Sequence, residues 1–164
     1  SISKTSPGVA SQNRPSIIFR LADFYLIYAE VANEVNPSDS RVLTYLNLVR
    51  ERAGLPKVEI LNPGIVGNKE LQRAAIQRER QIELATEGQR YFDVRRWMIA
   101  DKDGEGRQNG YAHGMNVRGT INDTEEFNRV VETEKIVFNR KMYLQPIPDH
   151  EMRKTQNLVQ NPGW

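Results

Sequence analysis

Three glutamates, Glu79, Glu83 and Glu87, recur at intervals of four inside an arginine-dense run from Arg78 to Arg96. On a helix that spacing lines up the carboxylates on one face, where like charges repel. Two chemistries fit the pattern. Carboxylates on adjacent turns could act as the closely spaced acid and nucleophile of a retaining glycosidase. A general acid needs a raised pKa, however, and a field of arginines acts against that. Arg80, Arg90, Arg95 and Arg96 instead favour a salt-bridge network that clamps the helix of Glu79 to the helix that follows it.

The remaining reactive side chains point away from catalysis. His113 and His150 lie far apart and in neither an H-E-x-x-H nor an H-x-x-x-H setting, so they read as surface or loop histidines and no metal site is expected. Asp101, Asp103, Glu105 and Gly106 copy positions one, three, five and six of a calcium loop. The position of the bidentate glutamate holds Ala112, and an ordinary acidic turn is the preferred reading. There is no serine nucleophile elbow and no glycine-rich phosphate loop, and no cofactor is implied. The absence of cysteine removes disulfides, thiol chemistry and thiolate-bound metals.

A sugar site needs an aromatic platform with amide or guanidinium groups beside it. Tyr111 stands in a Gly- and Asn-rich stretch with Asn109, Asn116 and Arg118 close in sequence, and Trp97 stands in an arginine-rich helix where it could stack on a guanidinium. These five are the candidate ligand residues, against the plainer reading that Tyr111 pins its loop and Trp97 fills a core.

The elements that would carry these groups are mainly helical. Leu21, Phe24, Tyr25, Tyr28, Ala32 and Val35 recur at three and four, which predicts a helix over 20–35 with that face buried and Asp23, Glu30, Asn33 and Glu34 in water. Asn36-Pro37 stops it. Ser38 is the expected cap of a second helix, with the stripe Val42, Leu46, Val49 and Ala53, and Gly54 is its left-handed terminator. Two helices joined by so short a turn pack antiparallel as a hairpin. Asn68 caps a third helix whose expected buried face is Leu71, Ala75, Ile82 and Ala85 and which Gly88 ends, and a fourth spans about 90–100. Residues 1–16, 55–67 and 101–127 read as loops, 129–138 as a short strand or hairpin arm, and 142–148 as an extended apolar stretch. Asp149 caps a last short helical turn.

With 164 residues the chain is long enough for one domain, expected to span 1–164. Twenty-three basic against 21 acidic residues leave a net charge of +2, too balanced for a nucleic-acid binder. No run approaches the roughly 20 apolar residues that span a bilayer, and the first residues lack the apolar core of a signal peptide.

Five segments together resemble one family, the SusD/RagB proteins: Arg20–Glu30 (RLADFYLIYAE), Tyr45–Pro56 (YLNLVRERAGLP), Glu79–Trp97 (ERQIELATEGQRYFDVRRW), Tyr143–Pro148 (YLQPIP) and Gln160–Trp164 (QNPGW). The resemblance implies an all-α fold of tetratricopeptide-like helical hairpins with irregular loops and a minor β element. It implies the C-terminal part of a longer, non-catalytic protein on the outer membrane of Bacteroidetes-type bacteria, held there by a lipid anchor outside this chain. It further implies that the whole protein binds oligosaccharide or polysaccharide, in some members peptide, and works with a SusC-like TonB-dependent transporter. The rival readings are a helical-repeat scaffold that binds protein alone and a glycoside hydrolase fragment.

Overall fold

A computed structural model describes residues 18–102, 110–116 and 130–164. The chain divides into two compact units, Ser1–Glu79 and Arg80–Trp164, with the division inside one helix.

The first unit is a helical hairpin with additional helices. α1 (Leu21–Val35) ends at Asn36, where Pro37 follows, and α2 (Arg41–Arg52) returns beside it. α2 starts later than Ser38: Ser40 is its N-cap, and Asp39 fixes the turn by accepting hydrogen bonds from the backbone and guanidinium of Arg41. Gly54, at φ +76°, closes the helix as expected, with the Leu55 N–H donating to the Arg50 carbonyl at 2.9 Å. The stretch expected to be loop holds the short α3 (Val58–Leu61) and a 3-10 turn, Pro63–Ile65. Asn47 of α2 organises it: its Oδ1 accepts from the Val58 N–H at 3.0 Å and its Nδ2 donates to Glu59 at 2.8 Å. α4 (Lys69–Glu83) begins at Asn68, whose side chain accepts the Leu71 N–H.

The buried core of this unit is Leu26, Ala29, Val42, Leu46, Val49, Val58, Ile65 and Ile76. Tyr45 lies against both Tyr25 and Tyr28, with ring centroids 5.4 and 4.5 Å apart. Two expected faces are corrected. α1 buries Asp23, Leu26, Ala29 and Asn33, while Leu21, Phe24, Tyr28 and Val35 are exposed. α4 buries Gln72, Ile76, Glu79 and Arg80 rather than Leu71 and Ile82. Some of the inward polar groups find partners, Asn33 Nδ2 donating to the Lys69 carbonyl and Glu79 pairing with Arg50 at 2.8 Å, while Asn33 Oδ1 and Gln72 Oε1 are buried without a hydrogen bond among the described residues.

In the second unit, α4 ends at Glu83, before Gly88; that glycine, at φ +78°, is instead the N-cap of α5 (Gln89–Arg96). Two strands, β1 (Gly110–Met115) and β2 (Val130–Ile136), pair antiparallel, with a register shift between Tyr111 and His113. The minor β element is therefore an antiparallel pair of strands, and β1 lies within the stretch read as irregular. A 3-10 turn (Arg140–Tyr143) takes the first two residues of the run expected to be extended, Leu144 beyond it is extended, and α6 (Asp149–Met152) is the short last helix. Val94, Ala100 and Phe138 are the buried centre, with Ile99, Met142 and Tyr143 packed on them. Among the described residues no helix is long and apolar enough to cross a membrane.

Candidate ligand-binding site

The arginine-rich run does clamp two helices, and Asp93, outside the glutamate series, is an anion of that clamp. Arg80 of α4 donates from Nε to Asp93 Oδ2 at 2.9 Å and from Nη2 to Oδ1 at 3.2 Å, and Arg96 Nε reaches the same Oδ1 at 2.9 Å. Glu79 is committed to Arg50 of α2, so the pair Glu79 and Glu83 is not presented to solvent as a matched acid and nucleophile.

Of the five sequence-predicted ligand residues, Trp97, Tyr111 and Asn116 fall among the described residues. Trp97 is the C-cap of α5 and is half-buried, with the Arg96 and Arg90 guanidinium carbons 4.6 and 5.7 Å from its ring centroid. Tyr111 is the second residue of β1, paired with Lys135. Asn116, just past β1, is 8% exposed and too enclosed to meet a surface ligand as it stands. Asn109 and Arg118 lie outside the described residues, as do Asp103, Glu105 and Gly106 of the calcium-loop pattern. Asp101 accepts the Tyr143 hydroxyl at 2.5 Å. Among the described residues no group of three or more His, Cys, Asp or Glu is placed to hold a metal ion. His150 is exposed on α6, 3.0 Å from Glu151.

A cleft of about 750 Å³ lies elsewhere in the second unit. α5 supplies Arg95 and Arg96 from its last turn, and the 3-10 turn supplies Arg140 and Lys141. Tyr143, Met98, Leu144 and Pro162 give it a carbon lining, and Gly163 completes the wall. Among the described residues no acidic side chain lines it, and although Arg96 is shared with Asp93, the four cations favour a positive potential on one concave surface.

The backbone around this cleft is held in uncommon conformations. α5 closes with Met98 at φ +55°, its N–H on the Arg95 carbonyl and the Ile99 N–H on the Val94 carbonyl, an ending normally given to glycine. A left-handed non-glycine residue carries roughly 1–2 kcal/mol of strain, which the fold retains to place Met98 in the lining. Gly163 sits at φ +88°, and a Cβ there would stand 3.0 Å from Lys141 Cβ. Trp164 then donates its indole N–H to the Lys141 and Leu144 carbonyls, and Lys141 Nζ lies 4.2 Å from its ring centroid. Arg95 stacks 3.5 Å over the Tyr91 ring. Behind the cleft, the hydroxyl of Tyr143 holds the Asp101 carboxyl below the ordinary aspartate range. Burial, and then Asp101, push the Tyr143 phenol above its own.

Sequence reasoning missed this convergence. Its only trace is two dibasic doublets, Arg95-Arg96 and Arg140-Lys141, more than forty residues apart, and nothing local says that they meet.

Compared with known proteins, residues 2–164 match the model of the SusD family. A SusD-like protein, P2, of Formosa agariphila is 31% identical over 153 residues, which cover 90% of this chain and 26% of that protein. A second, SusD-like protein P25 of the same organism, is 44% identical over 89 residues, 54% of this chain and 16% of that protein. A crystal structure of a SusD-like protein from Bacteroides fragilis superposes with a TM-score of 0.70 at 31% identity, over 90% of this chain and 26% of that one. The chain thus spans about a quarter or less of the length of the relatives it matches.

Proposed function

This chain belongs to the SusD family, and from that premise we propose that it forms the C-terminal part of a non-catalytic glycan-binding protein at the cell surface. The protein hands oligosaccharide to a SusC-like TonB-dependent transporter in the outer membrane, and a lipid anchor outside this chain holds it there. The observation that carries this reading is the family match over residues 2–164. The tetratricopeptide-like hairpin of α1 and α2 suits a rigid scaffold that presents a surface, and a concave cationic cleft with a carbon lining suits recognition without covalent chemistry.

Affinity electrophoresis of the full-length protein against a panel of soluble plant, host and microbial polysaccharides tests it. Retardation by at least one glycan, with no reducing sugar released, is the expected result. Release of reducing sugar that disappears in Glu79→Gln or Glu83→Gln would instead point to a hydrolase. A second reading, a scaffold that binds protein alone, draws on the exposed apolar stripe of α1. Co-purification with the transporter and no glycan signal from any polysaccharide would favour it.

A further inference from the structure

We propose that the cleft between α5 and the C-terminal turns binds an acidic sugar residue, taking its carboxylate or sulfate group on Arg140, Lys141 and the Arg95–Arg96 pair. The inference rests on the glycan-binding reading and names the ligand class within it.

Charge is the first argument. Four cations line one cleft, and among the described residues no carboxylate lines it with them. Asp93 already meets Arg96, and Asp101 lies within the field of Arg140, so part of this charge is offset, and the positive potential left in the cleft favours an incoming anion. Guanidinium groups also match the planar oxygens of a carboxylate or a sulfate with paired N–H donors.

Shape is the second argument. About 750 Å³ falls in the range of small-molecule clefts. Tyr143, Leu144, Pro162 and Met98 offer carbon against which the C–H face of a sugar ring can lie. A free inorganic anion would have no use for that lining.

Construction is the third. Three separate devices hold the walls: the left-handed Met98, the glycine-only position 163 against Lys141, and the Tyr143 hydroxyl on Asp101. Strain retained beside a cleft is the pattern of a pre-organised site. Nucleic acid fits the same charges less well, because the chain as a whole is nearly balanced at +2.

The test uses the full-length protein and its Arg140→Gln/Lys141→Gln double variant. Each is measured against matched pairs: polygalacturonate with its carboxyl-reduced form, and dextran sulfate with dextran. Circular dichroism and thermal melting check that the variant is folded, as expected for two substitutions at the rim. The proposal expects one anionic member to bind roughly tenfold or more tightly than its neutral partner, with that advantage lost in the double variant, since a charge-assisted contact is worth a factor of this size. Preference for polygalacturonate identifies the carboxylate as the recognised group, and preference for dextran sulfate identifies the sulfate. Binding to neutral and anionic members alike overturns the inference and leaves the glycan-binding reading standing. An anion preference that the double variant retains places recognition elsewhere and overturns this site. Failure to retain these four polymers or any polysaccharide of the wider panel sinks both readings together.

Discussion

Arg80 grips Asp93 through both carboxylate oxygens, at 2.9 and 3.2 Å, with side chains only 3% and 4% exposed. The pair joins α4 to α5, and Arg96 adds a third donor from α5 itself. A buried ion pair adds little net stability, but breaking one partner strands the other charge out of water.

Asp93→Asn or Arg80→Met is therefore expected to destabilise the protein by about 3–5 kcal/mol. The combined Arg80→Met/Asp93→Leu variant should recover most of that loss, because no uncompensated charge remains and Arg96 can turn to solvent. Urea unfolding of the three variants checks this. Additive losses in the combined variant would mean that the two residues act separately.

Much of the architecture was readable because it rests on local chemistry. Asn36-Pro37 had to end a helix, Gly54 had to take a left-handed conformation, and Asn68 had to cap, and each does so. What stayed illegible depends on partners distant in sequence. Period alone chose the outward side of α1, since Leu21, Phe24 and Val35 outrank Asp23 and Asn33 in hydrophobicity, yet the polar pair lies inward where Asn33 meets Lys69. The glutamate spacing correctly flagged a clamp but not Asp93 as its anion, because a spacing of four says nothing about the next helix. The candidate site was the least legible part. Tyr111 was chosen for its glycine-rich neighbours, and its backbone lies in β1, while the meeting of Arg140 and Gly163 with Arg95 and Arg96 depends on segments far apart in sequence.

Glu34 supplies a pH dependence. Its hydrogen bonds to Arg73, at 2.7 and 2.8 Å, are the main cause of a carboxyl pKa lowered from 4.5 to about 2, opposed by desolvation and helped by Lys69. A depressed folded pKa gives stability that is present above about 4.5 and is lost as the pH falls toward about 2. The wild type should therefore melt above Glu34→Gln at neutral pH, and the two curves should converge on acidification through that window. Because Glu34 is well exposed, salt should shrink the gap. A gap that widened with acid would contradict the assignment.

Gly163 tests whether the cleft wall tolerates change. Alanine there must adopt φ +88° and bring its Cβ to 3.0 Å from Lys141 Cβ. Strain of about 1–2 kcal/mol is expected, enough to loosen the turn that seats Trp164 on the Lys141 and Leu144 carbonyls. In a Trp97→Phe background, where Trp164 is the remaining tryptophan, Gly163→Ala should shift its emission to the red and lower the melting temperature. Unchanged emission would show that the indole contacts do not depend on glycine.

The exposed side of α1 carries the last expectation. Leu21, Phe24, Tyr28, Val31 and Val35 follow one another at three, four, three and four, the spacing of a helix–helix seam, and Val31 and Val35 are 56% and 82% exposed. Water meets a continuous apolar stripe there, the kind of patch that a soluble monomer rarely leaves bare. The 164-residue chain alone should therefore associate as concentration rises, and Val31→Glu with Val35→Gln should return it to monomer in sedimentation velocity without moving the Leu26 and Ala29 core. The same substitutions in a longer protein discriminate further. If another helix covers the stripe, they should lower the melting temperature, because a buried carboxylate lacks water. If the stripe faces solvent, stability should hold or rise. A chain that stays monomeric at every concentration before any substitution would remove the premise that this face seeks a partner.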